Sequence, residues 1–446
     1  MEQTFLTELR IEKVRHLHDI TIPLSKTERK NLILTGKNGC GKTSVLRAMA
    51  LYINLLALVP EEVWRLPKDE AQTYLKNYWT KSIAKQWPEN GSHDENNIYQ
   101  FWTDTFSELI TNKANENRNV WWELSNKKQP AERKKTVSDI AEELDNMKCS
   151  AALRRKRDLF SKYHNGEFIL AYYGDNRKLD IADVDHIEKV RLKTSYGMNE
   201  KPSKELGKYL VDLESTKAFS QAKGDTIRTS QIDEWFTRFE NILRRIYGEP
   251  SLKLDFNIDT FQFSILIDGK EPFDFNTMSM GYAAVFDIVA DLMMRMESQR
   301  RYDLEGIVLI DEIETHLHVE LQKQIVPILT ELFPNIQFIL TTHSPFILNS
   351  APNAVIYDLE KRILVEEGME NLSYEGILDG YFEVDRFSQK LRKAFEEYKQ
   401  LVTSANLSDL DYARIAELED YLDEVPDYLA LDFAHEYSRL KAEFDS

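Results

Sequence analysis

Residues Gly36 to Thr43 read Gly-Lys-Asn-Gly-Cys-Gly-Lys-Thr and follow directly on the apolar run Asn31-Leu32-Ile33-Leu34. Few local patterns constrain a chain so tightly. The spacing G-x-x-x-x-G-K-[ST] has meaning only after a strand and before a helix, and both are expected here. Glycines at 36, 39 and 41 let the chain curl so that successive backbone N–H groups point inward. The helix from about Lys42 brings its positive end to the same point. Such a cradle suits the phosphates of a nucleoside triphosphate. Gly36, Asn38, Gly39, Cys40, Gly41, Lys42, Thr43 and Ser44 line it, Lys42 adds a full charge toward the β- and γ-phosphates, and Thr43 offers a hydroxyl to Mg²⁺.

With 446 residues, 42% hydrophobic and 30% charged, the chain can bury two or three cores. Its formal net charge of -18 repels nucleic acid in bulk, so any such contact needs a local patch. No stretch of about 18 apolar residues marks a membrane span. Met1 to Phe5 lacks the basic start and apolar run of a signal peptide. There are two cysteines, Cys40 inside the glycine-rich loop and Cys149. A structural disulfide does not fit there, and a reducing cytoplasm does.

Apolar spacing predicts two strands and a turn before the loop, then a helix over 42–58. Residues 60–160, rich in Trp, Lys, Glu and Asn, read as an inserted helical subdomain between an N-terminal core part (1–59) and a second core part (161–360). Residues 197–230 read as a mobile linker and 231–247 as an amphipathic helix. Strands are expected near 168–173, 252–257, 261–267, 306–310, 336–341 and 354–358, with helices at 280–298 and 317–332. That alternation argues for an α/β core. Residues 361–446 form an acidic tail, helical from 386 as a hairpin or three short helices. Over 403–446 twelve Asp and Glu face three Lys and Arg, about half of the net charge. This reads as a solvated face or as a docking surface for a basic partner.

Ile307 to Ile310 is an apolar strand ending in Asp311 and Glu312. Strand ends are where an open parallel sheet presents its site. Asp311 suits Mg²⁺, and Glu312 would orient or deprotonate an attacking water. Ile339 to Thr341 ends in Thr342-His343-Ser344-Pro345, which puts His343 at a strand tip where it could bond a γ-phosphate. Met278-Ser279-Met280-Gly281-Tyr282 opens a helix that Ser279 can cap, and Gly281 lets a phosphate approach the backbone.

This order of motifs resembles the ABC-type ATPases, in the soluble branch that includes RecF, SMC proteins and OLD-type ATPases. Ile11 to Arg15 is similar to the end of that branch's N-terminal strand, Asp311 to His318 to its acidic stretch, and Thr341 to Pro345 to its switch motif. The match covers about 5–60, 165–180 and 250–360. It implies an ABC-type P-loop ATPase head with a mixed sheet, a helical insertion and a C-terminal helical tail. It also implies that two heads sandwich two ATP molecules, Ser279 and Gly281 of one chain covering the nucleotide held by the other. Met280, Tyr282 and Ile313 depart from the family pattern. No Q-loop glutamine stands out; Asn176 or Arg177 in Gly174-Asp175-Asn176-Arg177 occupies its place.

Three further signals are weaker. His316 and His318 could suggest a metal site but fit a loop at a dimer seam. Glu366 with Asp409 and Asp411 superficially matches the Toprim nuclease of OLD proteins, yet Ser408 reads as an N-cap with no strand before it. Arg154 to Arg157, Lys127-Lys128, Arg133 to Lys135 and Trp102, Trp121 and Trp122 read as a solvated basic face or as a contact for nucleic acid or a phage protein. The resemblance extends to the Toprim-less ATPases of Septu, PARIS and retron-linked anti-phage systems. They pair with a separate HNH-type or Toprim-type effector nuclease. The expected function is that of an ATP-hydrolysing sensor or scaffold subunit. A scaffold with little turnover and a RecF-like repair ATPase are the alternatives.

Overall fold

The computed structural model describes residues 3–57, 147–369 except 176, 178 and 183, 389–404, 407–423 and 431–444. The chain divides into two compact units, 1–372 and 373–446.

The first unit is organised by a six-stranded sheet. Its members are β3 (Asn31–Thr35), β5 (Phe168–Tyr173), β8 (Glu305–Ile310), β9 (Ile336–Thr341), β10 (Ala354–Asp358) and β11 (Ile363–Val365), in the order β11-β10-β3-β9-β8-β5. All neighbours are parallel except the edge strand β11. β3, β9 and β10 are buried at every residue, as expected of strands covered on both faces. Leu32, Leu34, Ile307, Leu309 and Ile339 join one core cluster, while their alternating neighbours Ile33, Val308 and Leu340 point to the opposite face and are equally buried.

That cluster is closed by a second, antiparallel sheet, β2-β1-β4, built from β1 (Phe5–Val14), β2 (Leu17–Pro23) and β4 (Met147–Arg154). The helix α1 (Lys42–Ala57) packs against both sheets, on β4 and β9. Gln337 of β9 stitches the sheets together: its side chain accepts from Leu6 N at 2.7 Å and donates to Leu6 O at 3.1 Å and Lys30 O at 2.6 Å.

Two expectations are corrected here. Residues 147–154 are not insertion helix but β4, paired along its length with β1. Ala, Ser, Lys and Arg give this segment little intrinsic β preference, so its partner decides it. Only the alternation of buried Cys149, Ala151 and Leu153 marks it. The "linker" is a helical hairpin, α3 (Leu206–Lys223) and α4 (Thr226–Tyr247), following the short α2 (Leu159–His164). Most of the residues that α3 buries lie in its first two turns, which leaves the rest polar enough to read as loop. Gly224, at φ 72°, ends α3, and the Asp225 side chain accepts from Arg228 N to start α4. Residues 58–146, with Trp102, Trp121, Trp122 and the basic runs at 127–135, lie outside the described residues.

The remaining elements follow the expected spans. β6 (Lys253–Asn257) and β7 (Gln262–Leu266) form a two-stranded ribbon. α5 (Met280–Glu297), α6 (Val319–Leu332) and α7 (Pro345–Ser350) complete the unit. The core also reaches past residue 360, since β11 lies within its sheet.

The second unit contains α8 (Gln389–Val402), α9 (Asp409–Asp423) and α10 (Leu431–Phe444), packed around Tyr398, Ile415, Leu418, Leu422, Tyr437 and Leu440. Ser408 Oγ accepts from Asp411 N while Asp411 accepts from Ser408 N, a reciprocal cap at the start of α9.

Candidate active site

Because β3, β8 and β9 are parallel, their C-terminal ends open at one edge of the sheet. The glycine-rich loop leaves β3 there, Asp311 and Glu312 follow β8, and Thr342 and His343 follow β9.

Gly36 and Gly41 have φ of 127° and 105°, a region that side chains avoid. A Cβ at Gly36 would lie 2.9 Å from Cys40 Sγ, and one at Gly41 would lie 2.9 Å from Leu17 Cδ1. Lys42 is buried and curls back over the loop, its Nζ donating to Gly36 O at 2.7 Å and Lys37 O at 3.1 Å. Burial pushes the Cys40 thiol up, against the opposing charge of Lys42. Asn38 and Gly39 are exposed at the crest, and Ser44 is buried in the first turn of α1. On the outer side, Glu360 accepts from Lys37 N at 3.2 Å and pairs with Lys37 Nζ at 3.1 Å.

Across the sheet edge, Asp311 is buried and its Oδ1 accepts from Thr43 Oγ1 at 3.2 Å and from Thr341 Oγ1 at 2.6 Å. The same Thr341 hydroxyl accepts from Glu312 N at 2.7 Å, and Thr341 O accepts from Ile313 N at 3.1 Å. β9 lies between β3 and β8, so its last residue links the loop to the acidic strand. Thr341 was readable only as part of the switch stretch; its linking position depends on strand order, which no single segment of sequence specifies. Glu312 is half-buried at φ 44°, an uncommon conformation for a residue with a side chain and one concentrated at functional sites. The hydroxyl of Thr43 beside the carboxylate of Asp311 is an all-oxygen donor set of the kind Mg²⁺ takes.

Arg177 does not stand in for a phosphate-facing glutamine. It is buried, and its guanidinium donates to Gly174 O, Asp311 O, Glu312 O, Ile313 O and Thr315 O at 2.7–3.3 Å. It staples the acidic turn from behind. Burial pulls its pKa down, with Glu314 the leading opposing charge. Asn176 lies outside the described residues.

His343 is half-exposed and held by buried Glu314, whose Oε1 lies 2.8 Å from ring Nδ1 and accepts from His343 N at 2.8 Å. That carboxylate holds the imidazole above its ordinary range, against desolvation. Burial pushes Glu314 up, but the ring and backbone bonds outweigh it and leave the carboxyl below its usual range. The stabilisation from His343 is complete below the ordinary imidazole value and is lost as pH rises through the raised one. That from Glu314 is present above the ordinary carboxyl value and is lost as pH falls through the lowered one. We therefore expect urea midpoints of the protein and His343→Gln to differ more near about pH 6 than near about pH 9.

Ser279 occupies the N-cap position of α5, but its side chain makes no capping bond. The entry to the helix is fixed upstream, where Asp274 accepts from Asn276 N and Thr277 N. Ser279 and Met280 are exposed. Gly281 is buried, its Cα close enough to the acidic loop that a Cβ would lie 3.2 Å from His316 O. Tyr282 stacks on Tyr247 at 4.1 Å. His318 Nδ1 accepts from Leu321 N as a helix cap, at 3.4 Å, and His316 sits at φ 69°. Among the described residues no group of three or more Asp, Glu, His or Cys side chains is gathered as metal ligands, His316 and His318 included. Glu366 follows the edge strand β11 of the first unit, and Asp409 and Asp411 open α9 of the second.

The model of the family described as "AAA domain, putative AbiEii toxin, Type IV TA system" matches residues 32–349. The chain belongs to this AAA family. A retron Ec83 probable ATPase of Escherichia coli is 33% identical over 147 residues, 31% of this chain and 27% of that protein. The Septu protein PtuA of Bacillus mycoides is 33% identical over 154 residues, 32% of this chain and 22% of that protein. The chain thus spans about a quarter of the length of these curated relatives. Solved structures that align include an SMC head bound to the C-winged helix domain of ScpA. It is 12% identical at a TM-score of 0.38, covering 83% of this chain and 100% of that one. Among the described residues no helix is long and apolar enough to cross a membrane.

Proposed function

We propose that the chain binds ATP with Mg²⁺ and hydrolyses it to ADP and phosphate. The observation that carries the reading is the hydrogen-bonded chain from Thr43 through Asp311 to Thr341, which joins the glycine-rich loop to the acidic strand with Glu312 beside it. Thr43 and Asp311 hold the metal, Lys42 bonds the β- and γ-phosphates, Glu312 orients or deprotonates the attacking water, and His343 bonds the γ-phosphate. The exposed Ser279 and Met280 supply the surface through which a second copy, by Ser279 and Gly281, covers the nucleotide. Differential affinity of ATP for separate and joined heads makes the assembly nucleotide-dependent. Similarity to the retron and Septu proteins supports a place in a cytoplasmic anti-phage defence complex. There the chain acts as sensor or scaffold for a separate effector nuclease, docked through the acidic three-helix unit. Contact with nucleic acid through the local basic runs Lys127-Lys128, Arg133 to Lys135 and Arg154 to Arg157 is part of this reading.

A scaffold with little turnover is the second reading, favoured by Tyr282 locked against Tyr247 beside the signature. Glu312→Gln separates the two. We expect this variant to bind ATP with about native affinity, to release phosphate at least about 100-fold more slowly, and to accumulate ATP-dependent dimers on a sizing column. A native chain that binds ATP yet releases no phosphate, with or without its partner, would favour the scaffold. A chain that binds no nucleotide would overturn both.

A further inference from the structure

We propose that Glu314 is a positioning residue for His343: one carboxylate oxygen fixes the ring by Nδ1 and the backbone by its N–H, which leaves Nε2 as the ring atom offered to the triphosphate end of the cleft. The inference rests on the ATP reading above and adds a residue to it. The geometry has three parts. Glu314 Oε1 takes both His343 groups at 2.8 Å, so ring and main chain are held by one atom. Glu314 is 7% exposed on its side chain while His343 is 49% exposed, so a buried carboxylate turns one oxygen to a residue at the protein surface. A cation with an equally buried side is at hand in Arg177, yet its NH1 and NH2 donors go to backbone carbonyls and none to Glu314.

A buried carboxylate is costly unless paired, so a purely structural role would be met by the arginine. Pairing with a half-exposed imidazole instead sets a tautomer and an orientation. The charged groups that the ring senses are Glu314, Lys42 and Glu312, which places it among the residues assigned to the phosphate end. The carboxylate favours the charged ring, and in that form Nε2 carries a hydrogen that can be donated to a phosphate oxygen.

The test uses the full chain labelled with ¹⁵N-histidine, without nucleotide, with the His343 signal identified by its loss in His343→Gln. We expect Nδ1 to be protonated in the native chain, with a ring midpoint above that of free histidine. Glu314→Gln, which keeps the shape and both acceptor contacts, should drop the midpoint toward free histidine. Glu314→Asp, which keeps the charge, should retain an upward displacement. An unaltered amide fingerprint spectrum establishes that each variant is folded. An equal midpoint in the native chain and folded Glu314→Gln overturns the proposal.

A second readout follows turnover. Glu314→Gln should lower kcat about 10- to 100-fold with little change in KM, by analogy with carboxylates that orient metal-bound histidines. Combined with His343→Gln it should add little further loss. Losses that multiply instead overturn the proposal. If the native chain neither binds nor hydrolyses ATP, the functional reading fails while the titration still decides the orientation of His343.

Discussion

Lys42→Ala is expected to lower ATP affinity at least about 100-fold, or roughly 3 kcal/mol, the scale of charge-assisted hydrogen bonds to phosphate. The side chain is preorganised: its ammonium already lies over the loop, bonded to Gly36 O and Lys37 O, so little ordering is left to do when phosphate arrives. Alanine removes the buried ammonium and leaves Gly36 O and Lys37 O without the donor they share. The fold should survive, because the glycine conformations and the Thr43–Asp311 bond do not depend on this ammonium. Titration calorimetry with MgATP checks the loss, and circular dichroism checks the fold. Unchanged affinity in a folded Lys42→Ala protein would remove the site assignment altogether.

Arg177→Met is expected to cost at least about 2 kcal/mol of stability, the scale of leaving buried hydrogen-bond acceptors without their donor. Methionine keeps the apolar stem but leaves the carbonyls of Gly174, Asp311, Glu312, Ile313 and Thr315 without the donors that gather them. It also removes the positive charge that Arg177 sets against the burial of Asp287. The acidic turn holds Glu312 at positive φ, a conformation that persists only while its surroundings enforce it. Hydrolysis should therefore fall more than nucleotide binding, since the glycine-rich loop lies on another strand. Urea unfolding and steady-state phosphate release measure the two effects. A shift in the unfolding free energy below about 0.5 kcal/mol, typical of a surface substitution, would show that the arginine is not a staple.

The residues assigned to the proposed chemistry were legible wherever a short motif fixes both residue type and local backbone. Gly36 to Thr43 is a glycine-rich turn between a strand and a helix, as its pattern requires, and the apolar runs 307–310 and 336–341 became the strands they looked like, with Asp311, Glu312 and His343 at their tips. What stayed hidden depends on contacts between distant segments. Met147 to Arg154 is a strand because β1 offers it an edge, and no property of its own composition says so. The polar stretch before residue 231 is helical because one short apolar face and a capped turn suffice when a neighbour covers them. Arg177 looked like a ligand-facing residue and is a staple, since the same guanidinium that binds phosphate also binds a ring of carbonyls. Thr341 and Glu314 gain their roles from strand order and from a partner 29 residues away, respectively.

The position of β9 has a consequence for how this chain can change. The hydroxyl that ties its two halves of chemistry together is borne by the final residue of a central strand, not by a loop that can drift. Side chains alternate between faces, so a one-residue deletion anywhere in that strand would turn the oxygen away to the opposite side. The glycine-rich loop and the acidic tip would then fall out of step although every residue in both was intact. Length variation is therefore expected to spare the middle of the sheet.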